Sequence, residues 1–147
     1  MTAKKFRTKL LAASITPIIA LLIAWRIWSS LPGYEFEAGF WVVEDAYVKH
    51  HSNLMVEVNG TVVRLLSDEK SNDPVQRFVI VLRNGQRVTM IHDLGQAERV
   101  PVNIDDDVTA RGEYIWTEPG GLIRGTHWDP YPTRLHGWID HDGIRYE

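Results

Sequence analysis

The chain of 147 residues contains no cysteine. Disulfides, iron–sulfur clusters and thiolate zinc sites are therefore excluded, and any folded domain stands on its core alone. Acidic residues are absent before Glu35, and residues 10–25 carry no charge of either sign. No internal repeat and no low-complexity segment occurs. A phosphate-binding loop is missing too, because no Lys-Ser or Lys-Thr follows Gly120-Gly121. Ser67 and Ser71 fall in a polar turn region without a nucleophile elbow, so no Ser–His–Asp arrangement can be built.

What is present at the N-terminus reads as a membrane segment. Lys4, Lys5, Arg7 and Lys9 precede an apolar run over residues 10–31, broken only by Arg26. As a helix that run would be about 33 Å long, enough to cross a hydrocarbon layer of about 30 Å. Arg26 lies near its far end, where a long side chain snorkels, and Trp25 and Trp28 suit an interfacial belt. The basic residues before the run predict a cytoplasmic N-terminus at 1–9 and an exported remainder. The rival is a cleaved signal peptide; the run ends in Ser29 and Ser30 without an A-x-A pattern.

Beyond residue 31, eleven Lys and Arg face nineteen Asp and Glu, a formal charge of −8. Such a domain is a poor non-specific nucleic-acid binder, which needs clustered cations. The expected partners are the membrane, through the helix, and a protein of the cell envelope.

Residues 32–53 read as a helical stalk. Within it, 36–53 predicts a short amphipathic helix, with Phe40, Val43, Tyr47 and Leu54 on one face and Glu44, Asp45, Lys49 and His50 on the other. Residues 54–147 then switch to period two. A long strand over 54–65 bends at Gly60. Strands follow at 75–82 and 86–91, joined by the hairpin signal Asn84-Gly85. A short helix or loop lies at 96–99. A strand at 108–116 follows the acidic turn Asp105-Asp106-Asp107, and Pro119-Gly120-Gly121 leads to its partner from Leu122. A last hairpin turns at Asp142-Gly143. The fold class is mainly β, and three strands, a connection and two strands give the element order of a small antiparallel OB-like barrel.

The C-terminal half carries a set of short motifs in order: Gln76-Arg77-Phe78, Asn84-Gly85-Gln86, Ile91-His92-Asp93-Leu94 and Gly112-Glu113-Tyr114-Ile115-Trp116. Gly120-Gly121, Thr126-His127-Trp128-Asp129-Pro130 and His136-Gly137-Trp138-Ile139 follow. Together they resemble the family catalogued as domain of unknown function 3465. That resemblance implies a small secreted or membrane-anchored bacterial protein and no established activity. The family usually carries a His where this chain has Val75, and another where it has Arg124. A metal site needing either would be lost or rebuilt here.

Among these residues, His127, Asp129 and His136 are candidate ligands for a divalent metal, the one cofactor the sequence suggests. Glu113 is a candidate base, and Arg77 a candidate for steadying an anion. Gln76, Arg77, Trp128 and Trp138 are candidate ligand-binding residues. Against this stands a fastening role, since buried Trp and His commonly tie down loops. Glu113 is expected to pair with Arg77 or Arg111 across strands. The leading functional reading is an exported binding module; the alternative is a metal-dependent hydrolase acting on a phosphodiester.

Overall fold

A computed structural model describes residues 38–68, 73–130 and 135–147. The expected membrane segment at 10–31 lies outside the described residues, and among those residues no helix is long and apolar enough to cross a membrane.

The described chain is one helix followed by seven strands. Helix α1 spans Ala38–Val48. The strands are β1 Leu54–Leu65, β2 Val75–Leu82, β3 Arg87–Asp93, β4 Asp107–Ile115, β5 Leu122–Arg124, β6 Trp138–His141 and β7 Ile144–Tyr146. Five of them close into a barrel in the order β1-β2-β3-β5-β4, with β4 returning to β1.

Closure depends on the length of β1. Its first part pairs antiparallel with β4, from Leu54↔Tyr114 to Thr61↔Asp107. Its second part pairs with β2, from Gly60↔Leu82 to Leu65↔Phe78. Gly60 belongs to both ladders, and a Cβ there would stand 2.8 Å from the Val81 carbonyl oxygen. The bend expected at Gly60 is thus where the strand passes from one partner to the other. The register shift between Val62 and Arg64 is filled from outside the ladder: Val62 N–H donates to Asp106 O and Asp105 N–H donates to Val62 O, each at 2.8 Å.

The barrel is not wholly antiparallel. β5 runs antiparallel to β4 but parallel to β3, through Thr89↔Leu122 and Met90↔Ile123. A three-residue strand carries no period of its own, so the sequence could not show which neighbours it would join. β6 takes the other half of the same β4 edge, from Val108↔His141 to Arg111↔Trp138, and β7 pairs with β6. No helix forms between β3 and β4; the connection is irregular.

Alternation does what the sequence predicts. Val56, Val58 and Val62 of β1, Phe78, Ile80 and Leu82 of β2, and Val88 and Met90 of β3 are buried on one side of the sheet. Tyr114, Ile123 and Ile139 complete the core. Each such aliphatic or aromatic side chain contributes about 1.5–3 kcal/mol on leaving water, which offsets the missing disulfides. Burial pushes the Tyr114 phenol up to about 12.

Helix α1 buries Val43 and Ala46 and packs Phe40 and Tyr47 against the same core. It ends at Val48 rather than at residue 53, because His50 and Asn53 take left-handed backbone conformations and His51 N–H turns back to Ala46 O. Its outer side is less polar than expected. Trp41 and Val48 are exposed beside the Asp45–Lys49 ion pair.

Candidate functional site

Gln76 is a buried amide in an otherwise apolar row of β2. Both its polar atoms are engaged by one residue: Nε2 donates to Val100 O at 2.7 Å and Oε1 accepts from Val100 N–H at 3.0 Å. The pair clamps the β3–β4 connection to the barrel. Gln76→Ala should lower stability by about 2–4 kcal/mol, because it strands two backbone groups as well as emptying space. Thermal unfolding followed by circular dichroism would read that loss as a fall in Tm.

His92 is the second clamp. It is fully buried at the end of β3, with Nε2 2.9 Å from Glu98 O and Nδ1 2.8 Å from Thr126 Oγ1. A carbonyl oxygen only accepts, so Nε2 carries the proton and Nδ1 accepts from the Thr126 hydroxyl. Burial is the main cause that holds the imidazole below its ordinary value; His127 adds to this, and the Glu98 bond opposes it. His92 therefore ties β3, the β3–β4 connection and the segment after β5 into one unit. Thr126, to which no role was assigned from sequence, is as buried as His92.

That segment begins at Gly125, in a left-handed conformation, and runs through Thr126, His127, Trp128 and Asp129. Residues 131–134, including Tyr131, lie outside the described residues. Its two limbs are zipped together. Gly137 N–H donates to His127 O at 3.0 Å, Asp129 N–H donates to His136 Nδ1 at 3.2 Å, and Trp128 stacks on His136 at 5.4 Å between ring centres.

The candidate metal ligands His127, Asp129 and His136 thus take part in fastening this segment. His136 offers its Nδ1 lone pair to the Asp129 backbone, so that atom already has a donor. Among the described residues no group of three or more His, Asp or Glu is arranged to hold a metal ion. His127, Asp129 and Glu113 do meet in another way: all three line an open cleft of about 390 Å³. Among the described residues, Asn53, Met55, Gly125 and Leu135 line it as well. The Nδ1 of His127 is shielded from solvent without a hydrogen-bond partner.

Glu113 pairs with neither Arg77 nor Arg111. Cross-strand register decides the partners. Glu113 faces Arg124 across β4 and β5, with Oε2 3.1 Å from Arg124 Nε. Arg111 faces Glu57 across β4 and β1, at 2.9 Å. Arg77, on β2, donates from Nε and Nη2 to Ser67 O, and β3 separates it from β5.

The two tryptophans separate as well. Trp138 is only 5 % exposed, with the guanidinium groups of Arg145 and Arg111 over its ring at 4.0 and 5.4 Å. Arg145 is itself held by Asp140 through two 2.8 Å bonds, so this ring is part of the wall. Trp128 is 52 % exposed and adjoins the cleft residues in sequence.

A further cluster ties the last hairpin to the acidic turn. His141 is buried, with Nε2 2.9 Å from Asp106 Oδ2, which also accepts the Asn103 N–H at 2.7 Å. The Asn103 amide, and then His141, hold the Asp106 carboxyl below the usual carboxylate range. Asn53, Met55 and Leu135 were not singled out from sequence. They join the cleft only because β1 pairs with β4 while the limbs of the 125–137 segment are zipped beside it.

Some of the motifs that suggested a family thus fasten or flank this segment: His92 through Thr126, His136 through Asp129, and Glu113 in the cleft. Residues 24–147 match a family described as "Protein of unknown function (DUF3465)". The chain belongs to the DUF3465 family. No curated protein and no solved structure was found to match it. For this DUF3465 member, the cleft beside the 125–137 segment is the candidate site.

Proposed function

We propose that this protein is a membrane-anchored binding module whose exported barrel engages an envelope partner through the cleft between β1, β4 and the 125–137 segment. The carrying observation is the cleft itself: a concave wall combining carboxylates, an imidazole and exposed apolar side chains on a rigid barrel. Met55 and Leu135, 36 % and 65 % exposed, stand in it, with exposed Trp128 nearby. The strand order and the parallel β3–β5 pair support an OB-like reading of the barrel. The charge of −8 beyond residue 31 favours a partner other than bare nucleic acid.

Two measurements test this. The chain has no cysteine, so Ala3→Cys and Arg83→Cys each give a single thiol. A membrane-impermeant maleimide should label residue 83, and not residue 3, in cells with a permeable outer boundary and an intact inner membrane. Native electrophoresis of detergent-solubilised membranes should place the wild type in a complex larger than the free chain. The double variant Met55→Glu/Leu135→Glu should run as the free chain with an unchanged Tm. Identical migration of the two would refute the cleft as the contact surface.

A further inference from the structure

Helix α1 has two sides, and the barrel takes one of them. Val43 and Ala46 are buried in the core, with Phe40 and Tyr47 packed against it. The other side carries Trp41 and Val48, 60 % and 73 % exposed, seven residues apart and so on one line of the helix. Val42 adjoins that line and is exposed too. A single exposed apolar residue is ordinary on a folded surface, whereas a tryptophan aligned with a valine along one helix makes a patch. Asp45 and Lys49 share this side and pair with each other at 2.8 Å, so their charges cancel there.

The chain before α1 bears on what this patch meets. The apolar run over 10–31 carries Trp25 and Trp28 near its end, and residues 32–37 alone separate it from the helix. Fully extended, that connection reaches at most about 25 Å. A domain tethered so closely to a bilayer faces it at high effective concentration, so contacts too weak to bind a free domain suffice. Tryptophan favours the headgroup boundary, because its ring is apolar while its indole N–H needs a polar partner. We infer that the outer side of α1 rests on the bilayer, with Trp41 and Val48 seated at the headgroup boundary. The surface it fits is zwitterionic lipid: the patch carries no net charge, and the charge of −8 beyond residue 31 is repelled by anionic headgroups. This inference rests on the chain being membrane-anchored. It adds that the domain is held against the lipid rather than hanging free on its connection.

The test uses the full chain reconstituted in phosphatidylcholine vesicles. With no native cysteine, Leu21→Cys, Val42→Cys, Val48→Cys, Arg83→Cys and Ile144→Cys each take one spin label. Electron paramagnetic resonance then reads collisions of each label with a water-soluble nickel chelate and with oxygen, which concentrates in lipid. Labels at 42 and 48 should meet the chelate about tenfold less often than those at 83 and 144, and should meet oxygen more often. Trp41→Glu, in a protein of unchanged circular dichroism, should open the label at 48 to the chelate. If it leaves that label shielded, the patch does not hold the helix down and the inference is overturned. Shielding at 48 that vanishes on dilution into excess lipid would overturn it as well, since a second copy would then be the cover. Labels at 42 and 48 as open as the one at 83, with the label at 21 shielded, would overturn the inference and leave the anchor standing. A label at 21 equally open to the chelate would remove the anchor, and the inference with it.

Discussion

Gly137→Ala should abolish or severely impair folding, with a loss above about 3 kcal/mol and a Tm lower by more than about 12 °C. A Cβ at residue 137 would stand 1.8 Å from Gly125 O and 2.8 Å from both Gly125 C and Thr126 Cα. All three are backbone atoms, so no side chain can swing aside. Relief would require β6 to move off the segment that His92 holds through Thr126. It would also break the Gly137 N–H bond to His127 O. Gly143→Ala is the matched control. Its φ of 77° is left-handed, but a Cβ there meets nothing within 4 Å. That variant should lose only the conformational penalty of about 1–2 kcal/mol. Calorimetry of the pair separates a steric requirement from a dihedral one. A Gly137→Ala protein as stable as the Gly143→Ala protein would show that the two limbs do not meet as described.

Replacing His92 has the second largest expected effect. His92→Ala removes a buried ring and strands Thr126 Oγ1 and Glu98 O, a loss of about 3–5 kcal/mol. The His92 clamp also sets a pH dependence. Its folded pKa lies below the ordinary 6.5, chiefly through burial, so the unfolded chain binds the proton more readily. The contribution is fully present above pH 6.5 and is lost as the pH falls below that value, until the folded imidazole is protonated too. Urea unfolding at a series of pH values should therefore show stability falling from about pH 6.5 downward in the wild type. His92→Gln, whose amide can both donate and accept a hydrogen bond but cannot titrate there, should lose this component of the slope. An unchanged slope would remove His92 as its source. Asp106 acts lower on the scale: its depressed carboxyl stabilises above the usual 3.8 and ceases to do so as pH falls through its folded value.

Both results concern residues that the sequence exposes unequally. β2 is legible over its full length, Val75–Leu82, because the alternation of Gln76, Phe78, Ile80 and Leu82 reports a single buried face. The Asn84-Gly85 hairpin is legible for a local reason. Gly85 takes a left-handed φ of 84°, and Asn84 Oδ1 accepts the Gln86 N–H. By contrast, the partners of Gln76 and His92 are carbonyl and amide groups of Val100 and Glu98. Main-chain partners leave no mark on residue type, so the clamps could be suspected and not placed. β5 is too short to show its parallel pairing with β3.

The candidate site shows the same division. His127, Asp129 and Glu113 were visible as chemistry, and they line one cleft. His136 looked equivalent to them but is bound to the Asp129 backbone. Trp138 looked like a recognition surface and is instead covered by Arg111 and Arg145. Met55 and Leu135 carry no motif at all. Their contribution comes from tertiary structure, which brings the start of β1 beside the closing limb of the 125–137 segment.

The most direct test of the account is site-specific photo-crosslinking in living cells. Benzoyl-phenylalanine would replace, one at a time, Met55 and Leu135 in the cleft and Ile104 and Ile144, which are exposed elsewhere. On this account discrete, saturable adducts arise from positions 55 and 135, and none from 104 or 144. Adducts arising equally from all four positions, or only from 104 and 144, would contradict it.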